Sequence, residues 1–194
     1  MQKELEKIND YNVMLVDQEK NGRSLGEAFK NIDDYYKAKK FLKLGLMIKE
    51  KTEELTVEAI EKINTLYLTS IQINEKYYKA WHAYALINFE AAEFHQKING
   101  HKSGMQSVNY RDLQITKYIE NAVKGFIKSI SLGCNQEKKS RFLLQDSLRL
   151  LSMIFKYGDI ELVAQGFESH YKEIDITAWI DVVPQIIARI THKS

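Results

Sequence analysis

Glu90 and Glu93 stand about one helical turn apart, with Lys97 a further turn on, and His82 lies two turns upstream. Paired carboxylates beside an imidazole are the residue types of general acid–base work or of a metal site. The surrounding pattern gives a plainer reading. Lys79, His82, Glu90, Glu93 and Lys97 form one polar stripe that solvates a helix face, with His82 as a surface residue and the glutamates pairing with Lys97. His95, His101 and Cys134 lack metal-ligand spacing. Cys134 follows a helix-terminating glycine, and no cationic neighbour in the sequence activates it. Gly-rich phosphate loops, a Gly-Lys-Ser/Thr, His-Arg-Asp and Asp-Phe-Gly are all missing from the sequence. One cationic grouping remains. Lys39 and Lys43 share a helix face with Lys40 beside them, and Lys79 opens another helix. Free N–H groups at a helix start favour an anion, and the plain alternative is that Lys39, Lys43 and Lys79 are ordinary solvated lysines.

The elements that carry these residues read as helices throughout. Residues 74–94 contain no Gly or Pro, and Tyr77, Trp81, Tyr84, Ala85 and Ala92 fall on one row, with Tyr78, Leu86 and Phe89 beside it. A helix apolar over most of its circumference must be covered on two sides, which places it in the middle of a stack. Before it, a thin helical stripe over 2–19 leads to a turn at 21–24, with Ser24 and Glu27 in capping-box spacing. Helices are then expected over 33–51 and, with Thr56, over 59–73. The central helix should end near 99–100, and 98–111 reads as a flexible loop. Later helices are expected over 112–132, 141–157, 160–171 and 176–190, the last kinked or divided at Pro184. No strand pattern is present. The fold class is all-α.

A degenerate repeat supports stacked hairpins. Phe41-x-x-Leu44-Gly45-x-x-Ile48 is followed by Trp81-x-x-Tyr84-Ala85, Leu148-x-x-Leu151-Ser152-x-x-Phe155 and Trp179-x-x-Val182-Val183-x-x-Ile186. Ala59-x-x-x-Ile63 and Ala122-x-x-x-Phe126 supply the small-to-large feature of second helices. The expectation is an irregular α-solenoid of tetratricopeptide-like or HEAT-like hairpins.

Composition bounds the function. The 194 residues carry 28 basic and 26 acidic side chains, net +2, without the continuous basic stripe a nucleic-acid partner requires. No apolar run reaches the ~20 residues of a membrane helix, so membrane insertion is not expected. A lone cysteine, no Asn-x-Ser/Thr and a charged amino terminus fit an intracellular, cytoplasmic chain.

Residues 77–91, Tyr-Tyr-Lys-Ala-Trp-His-Ala-Tyr-Ala-Leu-Ile-Asn-Phe-Glu-Ala, resemble a stretch of the FAT domain in target of rapamycin kinases. The blocks at 41–45, 125–132, 144–151 and 179–190 agree in the family's order. On this resemblance, 31–192 is a FAT-type solenoid segment resembling the carboxy-terminal part of that domain, and 1–30 is an unmatched amino-terminal helical segment. The resemblance implies a non-catalytic scaffold, a fragment or truncated relative, that clamps the kinase domain and contacts subunits of a target of rapamycin complex. Through that complex it implies a place at the nucleus or an endomembrane surface. It further implies partial binding of inositol hexakisphosphate as a structural ligand at Lys39, Lys43 and Lys79, with Lys39 where relatives have Arg. No other cofactor is expected. A solenoid segment without polar caps should self-associate when isolated. The alternative is an independent tetratricopeptide-like module that binds peptides or proteins in its concave face. The aromatic and aliphatic residues of the first helices (Trp81, Tyr84, Leu148, Phe155) favour internal packing instead.

Overall fold

A computed structural model describes residues 25–103, 113–135, 141–180, 182–184 and 187–188. The helical pattern over 2–19, the turn at 21–24, the loop residues 104–111 and the polar run 136–140 lie outside the described residues. Among the described residues there are seven α-helices and no strand: α1 (Leu25–Lys51), α2 (Val57–Ile73), α3 (Tyr78–Ser103), α4 (Leu113–Cys134), α5 (Leu143–Tyr157), α6 (Glu161–His170) and α7 (Thr177–Ile180). A single 3-10 turn, Tyr171–Glu173, follows α6. No described helix is long and apolar enough to cross a membrane.

Local chemistry sets several boundaries. Thr56 caps α2, its hydroxyl oxygen accepting from Ala59 N at 3.2 Å. The central helix begins at Tyr78, not 74, because Asn74 Oδ1 accepts from Lys76 N at 3.0 Å and holds a turn. Trp81 Nε1 donates to Glu75 O at 2.8 Å and pins that turn from inside the helix. At its other end α3 continues through Gly100 to Ser103, so the first part of the expected loop is helical. A single glycine in a helix costs only about 1 kcal/mol, less than the surrounding helix can supply. Helix α1 likewise runs unbroken from Leu25 through Asp33 and Asp34, where a start was expected.

The first four helices pair in chain order. Ala38 meets Ser70, whose hydroxyl donates to Ala38 O at 2.8 Å, and Gly45 meets Tyr67, so α1 and α2 are antiparallel. In the same way Ala85 meets Gly125 and His95 stacks on Tyr118, making α3 and α4 antiparallel. Contacts between alternate helices run the other way. Tyr35 meets Tyr77 and Lys49 meets Glu90, so α1 and α3 are parallel. His82 meets Asp146 and Gln96 meets Tyr157, so α3 and α5 are parallel too. The first three copies of the repeat thus fall on the parallel helices α1, α3 and α5. The fold is all-α, a row of helical hairpins.

Helix α3 belongs to two cores. Tyr77, Ala80, Trp81, Ala83, Tyr84 and Ile87 pack with Ala38 and Leu42 of α1 and Ile63, Tyr67 and Ile71 of α2. Ala85, Ala91 and Ala92 pack with Ile119, Ala122, Phe126 and Ile130 of α4 and with Leu150 and Met153 of α5. The polar group at the crossing is Asn88, fully buried. Its Nδ2 donates to Asn64 Oδ1 of α2 at 2.9 Å and to Tyr84 O at 2.7 Å, while its Oδ1 accepts from Asn121 Nδ2 of α4 at 3.3 Å.

The α3–α4 contact is closest at Gly125, where an added Cβ would lie 2.9 Å from Ala85 Cβ and 3.0 Å from Ala85 Cα. Backbone cannot yield as a side-chain tip can. Gly125→Val should therefore lower stability in urea unfolding by about 2 kcal/mol or more. Gly166→Ala, whose Cβ would meet Glu120 Cγ only at 3.9 Å, should instead leave stability unchanged or raise it by ~0.5–1 kcal/mol through helix propensity. Equal effects of the two substitutions would mean that α3 and α4 do not approach this closely.

Candidate functional site

His82 is not a surface residue. It is 9% exposed, and its Nδ1 lies 2.9 Å from both Oδ1 and Oδ2 of Asp146, which is fully buried in the first turn of α5. An ionised carboxylate only accepts, so Nδ1 carries the proton against it. Ser129 Oγ of α4 donates to Asp146 Oδ2 at 2.7 Å. The carboxylate therefore ties three helices together, with the positive end of α5 beside it. The face of His82 stacks on Phe142 at 3.8 Å between centroids and 10° between planes, and Arg141 places its guanidinium 4.6 Å from the same ring's centroid. The arrangement lacks the order of a nucleophilic triad: Ser129 donates to the carboxylate, not to the imidazole.

The expected pairing of Glu90 with Lys97 is replaced by a longer link. Glu90 Oε1 accepts from Lys49 Nζ of α1 at 2.6 Å, tying α1 to α3 at a half-exposed position. Near the pair lies Tyr67, whose hydroxyl is buried without a hydrogen-bond partner among the described residues. Burial first, and then the Glu90 charge, push the Tyr67 phenol up to about 12. Burial and Glu120 likewise push Tyr84 up to about 12, and burial beside Tyr35 and Tyr78 raises Tyr77.

These groups border a concave pocket of about 290 Å³ between α1, α3 and the start of α5. Its lining is mostly apolar: Leu42 and Leu46 from α1, Ala83 and Leu86 from α3, and the rings of Tyr67 and Phe142. Its polar members are Lys49, Lys79, His82 and Arg141. Of the three lysines singled out from sequence, only Lys79 lines this pocket. Lys39 and Lys43 are exposed on α1 outside it, and Lys39 Nζ lies 5.7 Å over the Tyr35 ring. Lys49, Arg141, Tyr67 and Asp146 were not anticipated. Asp146 did leave a signal, a carboxylate on the face of α5 that otherwise carries Leu143, Leu150 and Met153. No group of three or more His, Cys, Asp or Glu suited to a metal occurs among the described residues.

Beyond geometry, the FAT domain family matches residues 2–152. The chain belongs to the FAT domain family. The FAT match begins at residue 2 and ends at residue 152. The chain is 31% identical over 186 residues to serine/threonine-protein kinase tor1 of Schizosaccharomyces pombe, covering 90% of this chain. It is 32% identical over 177 residues to serine/threonine-protein kinase mTor of Drosophila melanogaster, covering 86%. With serine/threonine-protein kinase TOR2 of Saccharomyces cerevisiae it is 33% identical over 187 residues, covering 83%. The chain spans 7% of the length of each of these relatives.

Two measurements check the buried polar groups of this FAT chain. Removing one partner of a buried pair strands the other, so Asp146→Ala should cost about 3 kcal/mol in urea unfolding, and Asp146→Asn less. The tyrosines titrate at ~10 when unfolded and higher when folded, so their contribution is whole below pH ~10 and is lost as pH rises through 10 toward 12. The urea midpoint should fall over that window, and fall less steeply in a Tyr67→Phe, Tyr84→Phe double variant. An equally steep fall would show that neither ring resists ionisation.

Proposed function

We propose that the chain is a non-catalytic scaffold of the FAT type, a solenoid segment that braces the kinase domain and the partner subunits of a target of rapamycin complex. The carrying observation is the family match over 2–152. The stacked hairpins support it, since Trp81 and Tyr84 are buried where a peptide-binding groove would expose polar side chains. Its relatives are serine/threonine kinases by name, and the sequence here holds none of the phosphate-covering or metal-binding motifs of phosphoryl transfer. The role is mechanical support within an intracellular complex. Exchanging the matching segment of TOR2 for this chain should preserve kinase activity in the chimera, and the same exchange carrying Gly125→Val should reduce it. By itself the chain should give no saturable ATP binding in calorimetry. A chimera that folds and assembles but has lost activity would sink the bracing role.

The same reading includes a partial, salt-sensitive site for inositol hexakisphosphate at Lys39, Lys43 and Lys79, acting as glue between hairpins. All three lysines are exposed, on α1 and on the first turn of α3. At low salt the ligand should raise the melting temperature, because it binds the folded chain preferentially. A Lys39, Lys43, Lys79 triple alanine variant should lose that rise. The same rise in both proteins would place the ligand elsewhere.

A further inference from the structure

We propose that the pocket between α1, α3 and the start of α5 binds a small amphipathic organic anion, an aryl or alkyl acid. Its acidic head would accept from the Tyr67 hydroxyl, Lys79 and Arg141, and its apolar body would lie against Leu42, Leu86 and Phe142.

The Tyr67 hydroxyl carries the argument. Tyr67 is 1% exposed, lines the pocket, and has no hydrogen-bond partner for its hydroxyl among the described residues. A buried hydroxyl left unmatched destabilises the fold, and phenylalanine would fill the same space without that cost. The ring is accommodated by Gly45, where an added Cβ would fall 2.5 Å from Tyr67 Cε1. A donor kept at the floor of a concavity in this way calls for an acceptor arriving from outside.

The rest of the lining fixes the character of that acceptor. Lys49 is already neutralised by Glu90. Lys79 and Arg141 bring two cationic groups to the rim, and among the described residues no carboxylate pairs with either. His82 cannot swing away, because Asp146 holds its Nδ1 and Phe142 covers its face. It forms a fixed wall. Leu42, Leu46 and Leu86 leave the floor with nothing to solvate a multiply charged ligand. A volume of about 290 Å³ sits at the small end of ligand pockets, which run from ~300 to 1,000 Å³. One acidic group on a compact apolar body satisfies all of these features. Inositol hexakisphosphate, acidic on every side, satisfies only the rim, so this site is separate from the one proposed at Lys39 and Lys43 although Lys79 borders both.

Phenyl phosphate is the probe, titrated into the whole chain at low salt by calorimetry, with inorganic phosphate and phenol as controls. Saturable binding of phenyl phosphate is expected, about tenfold tighter than either control, because only it offers both the charge and the apolar body. Arg141→Ala and Lys79→Ala should each weaken it about tenfold. Tyr67→Phe should weaken it while leaving the ligand-free melting temperature unchanged or higher. A Lys39→Ala, Lys43→Ala double variant should bind phenyl phosphate like wild type even where inositol hexakisphosphate no longer stabilises it. The proposal is overturned by several results: no saturable binding, equal affinity for inorganic phosphate, indifference to Arg141→Ala and Tyr67→Phe, or binding confined to acidic peptides. A lowered melting temperature in Tyr67→Phe would also overturn it, since the hydroxyl would then be serving the fold.

Discussion

Helix α3 has almost no side that can face water, and this constraint organises everything around it. Tyr77, Trp81 and Ile87 demand cover from α1 and α2, while Ala85, Ala91 and Ala92 demand cover from α4. A single hairpin could satisfy only one of these faces, so the chain places hairpins on both. The small residues decide how close the cover comes. Ala85 and Gly125 bring two backbones to a distance that no larger side chain would permit, and the dispersion gained along that seam depends on keeping it tight.

The polar groups of α3 follow from the same constraint. A helix enclosed on both sides cannot leave His82 or Asn88 to water, and these two and the half-exposed Glu90 each find a partner on a different neighbour: Asp146 on α5, Asn64 and Asn121 on α2 and α4, and Lys49 on α1. These links differ in value. The Lys49–Glu90 pair is half-exposed and contributes little in water. The His82–Asp146–Ser129 group is buried with both carboxylate oxygens matched, which makes it costly to disturb from any one side.

This division explains what the sequence made legible. Periodicity is local, so the apolar circumference of 74–94 and the recurrence of Phe41, Trp81 and Leu148 could both be read from neighbours a few residues away. The family resemblance was legible for a similar reason, through ordered local blocks. Partners 41 or 64 residues apart leave no such trace, and so His82 looked like a surface residue and Glu90 like a mate for Lys97. The pocket was harder still. Its members come from four separate helical regions, and Tyr67 enters it only because Gly45, on another helix, has no side chain. The amino-terminal residues show the opposite case: their thin stripe of Leu5, Ile8 and Tyr11 was too diffuse to place by inspection, although the family match includes them.

The amide chain from Asn64 through Asn88 to Asn121 has a mechanical consequence. Apolar side chains are interchangeable partners, so two greasy helices can slip past each other by a turn at modest expense. An amide enclosed among them is not interchangeable, and a one-turn slip of α2 or α4 along α3 would strand it with nothing to bond. The three asparagines therefore act as a detent. Force along the helix axes meets a discrete barrier, whereas a gentle splay of one hairpin against the next leaves the amides joined. A row of hairpins built this way is stiff in shear and compliant in bending, the anisotropy of a leaf spring.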